Sequence, residues 1–280
     1  SVDAGMRWGR FLEIVGERGQ MAAVDPPLGE ESTVGGVVAA GVSGPRRRLY
    51  GSMRDQVIGM ECVTLGGVLV QSGGMVVKNV AGYDLQKLMI GSMGTLAALE
   101  SVNFKLAPVP VGSATFALAY DTAEDAVQAR DGILTGALQP SAVDLLNPAA
   151  AVGAGLVEAW VLLVRAGGSE RVLERYGREL PGASRLEGEA EARLWKWVED
   201  FAPRTVEAAP SGAGVRAGFP LQGLGTALDL APGAAVARAA AGQGLERWPE
   251  PGDALELMRE VKRLFDPEGV LNPGRLHGRI

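Results

Sequence analysis

Between Met75 and Glu100 the chain reads MVVKNVAGYDLQKLMIGSMGTLAALE. Lys78, Asn79, Tyr83 and Asp84 stand there in an apolar run, with Gly82, Gly91 and Gly94 beside them. An ammonium, an amide, a phenol and a carboxylate can bind anions or pass protons, and glycine lets backbone approach a ligand closely. Upstream, Thr33-Val34-Gly35-Gly36 couples a hydroxyl suited to an N-cap with two residues that leave their amides uncovered. Such a helix start suits a phosphate. Taken alone, each pattern favours a plain turn over a phosphate contact. Two of them, separated by a hairpin and each preceding an apolar element, bring a nucleotide cofactor level with the turn. No G-x-G-x-x-G follows a strand and no G-x-x-x-x-G-K-[ST] occurs, so Rossmann and P-loop sites are excluded. For Lys78, Asn79 and Tyr83 two readings stay open. One is an exposed charge, a turn residue and a ring packed on the following helix; the other is a cluster near a cofactor edge or a partner surface.

Composition removes other chemistries. Cys62 is the only cysteine and His277 the only histidine among 280 residues. A disulfide framework is excluded, the interior of a reducing cell fits, and one thiol cannot hold an iron–sulfur cluster. No metal site is expected, because zinc needs several His or Cys ligands. A Ser-His-Asp or Cys-His triad would have to use His277, in a tail rich in turn signals. With 27 Lys+Arg against 33 Asp+Glu the formal charge is −6, which argues against nucleic acid as partner. The short Arg46-Arg47-Arg48 cluster reads as a solvated loop. No apolar run reaches the length of a transmembrane helix. The 47% hydrophobic content describes a globular, core-forming chain.

The elements that must position these residues follow from periodicity. Trp8, Phe11, Leu12 and Val15 predict a helix over 7–19, and Thr33 to Gly41 a short helix over Val37–Ala40. Val57, Ile58 and Val63, with Gly66-Gly67 as turn, predict a β-hairpin. Asp84 suits an N-cap for a helix through Leu85, Leu88 and Met89, with Gly91 at C′. Alternation at Val102, Phe104 and Leu106 predicts a half-buried strand, and 107–113 reads as a linker. Beyond it, strands over 114–121 and 159–166 and helices over 122–138, 169–180 and 191–201 make a second α+β domain. The helix over 191–201 is expected to bury Leu194, Trp197, Val198 and Phe201. A last helix, 253–265, is expected to turn Leu255, Met258, Val261, Leu264 and Phe265 inward and to stop at Asp266-Pro267.

STVGGVVAAGVSGPRR, KNVAGYDL with GSMGTL, and the C-terminal LMREVKRLFDPEGVLNPGRL carry a resemblance. The chain resembles the FAD-binding subunit of the glycolate oxidase complex, a flavoprotein of the vanillyl-alcohol-oxidase type, the fold type shared with D-lactate dehydrogenases. The likeness is strong over about 35–110 and clear at the C-terminus, and loose over about 113–250. It implies an α+β fold: a partial FAD-binding domain over 1–111, an α+β cap over 112–250, and a C-terminal helix and tail over 251–280 returning to the first domain. It implies FAD, with Pro27, Thr33, Val34, Gly35 and Gly36 along the pyrophosphate and flavin, and Gly41, Ser43 and Gly44 continuing that wall. Gly91, Ser92, Gly94, Ala98 and Leu99 would hold the adenosine side by backbone contacts, and Asn272 would face the cleft from the tail. The family normally begins with another small lobe carrying a Gly-rich pyrophosphate loop. Nothing here matches it, and Ser1 to Gly5 looks like the strand that follows it. The expectation is thus a second lobe with the first lobe absent and part of the FAD cradle missing.

The resemblance also implies partners: a catalytic flavoprotein subunit that oxidises a small 2-hydroxy acid, and an iron–sulfur subunit that takes the electrons. Location in the cytoplasm follows, with attachment to the inner face of a membrane through partners. No catalytic residue is assigned, since His277 is a poor base. Arg54 and Arg216 are the candidates for binding a substrate carboxylate. Three functions stay open: an FAD-binding accessory subunit, a self-sufficient FAD-dependent 2-hydroxy-acid dehydrogenase of the D-lactate type, and a cofactor-free scaffold.

Overall fold

A computed structural model describes residues 1–74, 84–208, 223–229, 231, 233–240 and 254–272. In chain order its elements are β1 (Val2–Asp3), α1 (Trp8–Gly16), β2 (Gln20–Met21), α2 (Val34–Ala40), α3 (Arg47–Tyr50), α4 (Met53–Gln56), β3 (Val57–Val63), β4 (Leu69–Gly73), α5 (Leu85–Met89), β5 (Ala98–Phe104) and β6 (Ala107–Pro108). They continue with β7 (Gly112–Tyr120), α6 (Ala123–Thr135), β8 (Ala142–Leu146), α7 (Pro148–Gly153), β9 (Trp160–Gly168), α8 (Glu170–Glu179) and β10 (Ser184–Leu186). The last are α9 (Gly188–Glu199), α10 (Phe201–Ala208), α11 (Leu224–Asp229), β11 (Val236–Ala237) and α12 (Ala254–Phe265). They form two compact units. The first takes its described residues from Ser1–Ser43, Gly51–Val109 and Trp248–Ile280, the second from Gly44–Tyr50 and Pro110–Arg247.

The first unit is built on an antiparallel sheet in the order β1-β5-β3-β4, with β2 and β6 paired separately. The β3–β4 hairpin turns at Gly66-Gly67, where the sequence expects it, and the Gly67 amide donates to Thr64 O. β5 starts at Ala98, earlier than the alternation from Val102 suggests, because Ala98 and Leu99 pair with Val63 and Cys62 of β3. α1 lays Trp8, Phe11 and Val15 into the core. Trp8, Phe11 and Phe104 meet there with ring centroids 5.2–5.7 Å apart. Burying such side chains stabilises the unit by roughly 1.5–3 kcal/mol each.

The second unit is an antiparallel sheet in the order β10-β7-β9-β8-β11. β7 and β9 run paired from Gly112↔Gly168 to Tyr120↔Trp160. Every residue of β8 is buried, so helices must cover both faces of this strand. On α9 the fully buried ring is Trp195, 1% exposed, and not the expected Trp197, which is half-buried against Phe201. The cause is polar: the Trp195 indole N–H donates to Thr115 Oγ1 at 2.7 Å, and the Arg165 guanidinium lies 5.3 Å above its ring. Thr115 in turn donates to the buried Glu191 carboxylate. Arg46, Arg47 and Arg48 are half-buried around the short α3, not a fully solvated loop.

α12 belongs to the first unit and packs Val261 and Phe265 on its core. Of the expected inward face, Leu255, Met258, Val261 and Phe265 are part-buried and Leu264 is not. Leu264 is 81% exposed, and the most deeply buried side chain on this helix is Lys262, 8% exposed.

Candidate functional site

Thr33 caps α2, its Oγ1 accepting from the Gly36 amide at 3.1 Å. Gly41 ends the helix in the left-handed region (φ 68°). The helix therefore covers Val34–Ala40, one turn longer at its start than the sequence suggests. Its first amides are not free for an anion. Val34 N donates to Met6 O, Gly35 N to Ala4 O, and Gly36 N to Thr33. The glycine at 35 serves a different need: a Cβ there would come within 2.9 Å of Ala4 Cβ. Gly41 likewise lets backbone meet backbone, since its Cβ would lie 2.9 Å from Gly91 Cα.

The second glycine loop packs beside the first. Gly91 N donates to Val38 O and Met93 N to Ala39 O, both on α2. Asp84 stands at the N-cap position of α5 without capping it. Its carboxylate is taken by Lys87 and Gln86, and Lys87 holds its pKa below the usual value. The buried Ser72 hydroxyl accepts from the Gln86 amide instead.

α2, the 93–99 segment, Ala4-Gly5 and the tail at Leu271-Asn272 surround an open groove of about 560 Å³. Of the residues expected at a cofactor, Thr33, Gly35, Gly36, Gly94, Ala98, Leu99 and Asn272 line it. Most other lining positions are alanine or glycine, which the sequence shows only as texture: Ala4, Gly5, Ala39, Ala40 and Ala97. Pro27, Val34, Gly41, Ser43, Gly91 and Ser92 do not line it. Val34 is buried in the core, and the Ser43 hydroxyl accepts from the Met53 amide. Gly44 falls in the second unit. Lys78, Asn79, Tyr83, Arg216 and His277 lie outside the described residues. Arg54 is spent on Lys87 O at the end of α5, at 2.8 Å.

The tail wall is held by polar bonds. Asn272 Nδ2 donates to Met93 O at 3.2 Å and Gly94 O at 3.1 Å. Asp266, 2% exposed, accepts from the Val270 and Leu271 amides and from Lys262. Burial pushes its carboxyl upward, but Lys262 and the two amides outweigh that and hold it below the usual carboxylate range. Lys262 and Asp266, four apart, are a pairing that helical spacing could have disclosed.

The groove can take a flat cofactor. Its volume lies in the range of small-molecule clefts. Its small lining residues leave backbone at the surface, and the space where a Gly5 Cβ would stand is open. Among its described lining residues no side chain titrates. Its described lining offers hydrogen-bonding groups and no base.

Sequence and fold comparisons agree with this geometry. Residues 1–73 match the FAD binding domain family, and residues 248–276 match the FAD linked oxidases, C-terminal domain. The groove draws residues from both stretches. Over 97% of its length the chain superposes on alkyldihydroxyacetonephosphate synthase with a TM-score of 0.70 at 17% identity, covering 62% of that chain. The protein thus has an α+β fold of the vanillyl-alcohol-oxidase type, and its two FAD-domain matches support FAD as its cofactor. It is 50% identical over 96 residues to glycolate oxidase subunit GlcE of Escherichia coli (strain K12), covering 34% of this chain and 27% of that protein. With subunit GlcD of Bacillus subtilis (strain 168) it shares 34% identity over 137 residues, 49% of this chain and 29% of that one. A mitochondrial D-lactate dehydrogenase [cytochrome] of Arabidopsis thaliana is 30% identical over 211 residues, 70% of this chain and 37% of that one. The chain therefore spans well under half the length of each of these three relatives.

Proposed function

We propose that this chain is the FAD-binding part of an oxidoreductase acting on a small 2-hydroxy acid, as an accessory subunit of a glycolate-oxidising complex. One observation carries it: Gly94, Asn272, Thr33 and the α2 glycines, scattered over some 240 residues, converge on one groove with bare backbone in its walls. The likeness to two glycolate oxidase subunits supports the substrate class.

The groove residues bind and orient. Asn272 and the 93–94 carbonyls fix the wall, and Thr33 and the small residues of α2 shape the floor. When bound, FAD supplies the acceptor for the electron pair that leaves the alcohol carbon. The described groove has no base for the hydroxyl proton, which favours the accessory role. The base and the carboxylate anchor would then belong to a catalytic flavoprotein partner, and the electrons would pass on to an iron–sulfur subunit. Among the described residues no helix is long and apolar enough to cross a membrane. Cytoplasmic location, with membrane attachment through partners, is part of the same proposal.

The test is an FAD titration of the purified chain by flavin fluorescence, followed by dye reduction with glycolate and with D-lactate. Saturable binding with no dye reduction alone, and reduction once the partners are co-expressed, is the expected result. Dye reduction by the chain alone would favour a self-sufficient dehydrogenase. A chain that never takes up flavin, alone or with partners, would leave a scaffold.

A further inference from the structure

The ammonium of Lys262 has three protons and three acceptors: Thr95 O at 2.6 Å, Leu271 O at 2.7 Å and the Asp266 carboxylate. It is therefore saturated while nearly buried, the condition under which a buried charge is tolerated. Its acceptors lie on two chain segments 176 positions apart (271 − 95). Thr95 directly follows the groove residue Gly94, and Leu271 directly precedes the groove residue Asn272. On the groove side, Asn272 then bonds the Met93 and Gly94 carbonyls. Two sets of bonds join the same two segments, one behind the wall and one at its face.

We propose that Lys262 is the positioning residue of the cofactor groove: its ammonium clamps residues 266–272 onto the 92–95 loop and so sets where Leu271 and Asn272 stand. Asp266 serves the clamp from within the tail, holding the Val270 and Leu271 amides so that the Leu271 carbonyl points back at Lys262. Val261 and Phe265 anchor α12 by apolar packing on the core, and their side chains have no polar atom with which to hold the Leu271 carbonyl or the Asn272 amide. The helix can thus stay docked while the wall loses its register. The identity of the ligand rests on the FAD reading above; the clamp itself does not.

Lys262→Met in the full chain separates these roles, with Lys262→Gln as a milder version that keeps a donor and loses the charge. Val261→Ala is the control, since it weakens the apolar anchor and leaves the clamp intact. Three quantities are read: FAD affinity by fluorescence titration, hydrogen exchange at the Val270 and Leu271 amides, and the thermal midpoint. Lys262→Met, or Lys262→Gln if the first does not fold, should weaken FAD binding roughly tenfold or more, the scale of a lost charge-assisted bond. It should also release the two amides. Val261→Ala should lower the midpoint and keep FAD affinity within about threefold. If the Lys262 variants and Val261→Ala lose FAD in parallel with their loss of stability, Lys262 is only a fold-holding residue and the proposal falls. It falls also if the Lys262 variants keep wild-type protection at Leu271. A wild-type chain that takes up no FAD refutes the functional reading, and the exchange arm still decides the clamp.

Discussion

At the scale of single residues, the groove depends on side chains that are not there. Gly94 has φ 68°, and a Cβ on it would meet Asn272 Nδ2 at 2.7 Å. Gly94→Ala should therefore lose on two counts, by backbone strain of about 1–2 kcal/mol and by displacing the amide that closes the wall. The expected readings are a lower thermal midpoint and clearly weaker flavin quenching; an unchanged affinity would detach Asn272 from the site. Asp266 makes the wall sensitive to acid. Its folded pKa is held below the ordinary 3.8, so its contribution to stability is present in full above that value and is lost as pH falls through the folded pKa. Urea unfolding between pH 5 and about pH 2 should show this slope in the wild type and a shallower one in Asp266→Asn.

At the scale of elements, α2 is the piece on which the glycine loop and the strand entry both lean. Removing its cap by Thr33→Ala should cost about 1 kcal/mol, read as a shift in denaturant midpoint. This element was legible almost entirely: Thr33 as cap, Gly41 as stop and the diglycine between them are local signals. The β3–β4 hairpin was legible for the same reason. What could not be read were faces chosen by distant partners. Periodicity on α12 makes Leu264 as good a core residue as Val261, and the carbonyls of Thr95 and Leu271, together with the Asp266 carboxylate, bring Lys262 inward. Trp195 was preferred to Trp197 by a hydroxyl 80 positions away, at Thr115. Asp84 has the right type for a cap, yet Lys87 and Gln86 draw its carboxylate off. The two glycine loops, suspected of a shared purpose, pack against each other through the Gly91 and Met93 amides and the α2 carbonyls. Their amides, however, mostly bind other parts of the chain, so the reason for the glycines is close backbone packing as much as exposure to a ligand.

At the scale of the whole molecule, the two units have separate apolar cores: one around Trp8, Phe11 and Val102, the others around the β7–β9 pair and α9. Each should report its own unfolding. Calorimetry is expected to resolve two transitions, and Leu162→Ala, at a fully buried site in the second unit, should lower one of them by the equivalent of about 2–5 kcal/mol. A single coincident transition would mean that the units are energetically coupled. FAD, added in excess, should raise the transition of the first unit and leave the other where it is.

The bond from Asn272 to Gly94 joins residues 178 positions apart. On a ribosome adding about 5–20 residues each second, the loop waits some ten to thirty-five seconds for the amide that will close it. The second unit has time to form while the first remains ajar. Newly made chains should thus pass through a stage in which the second unit is already folded while the groove still lacks its tail wall.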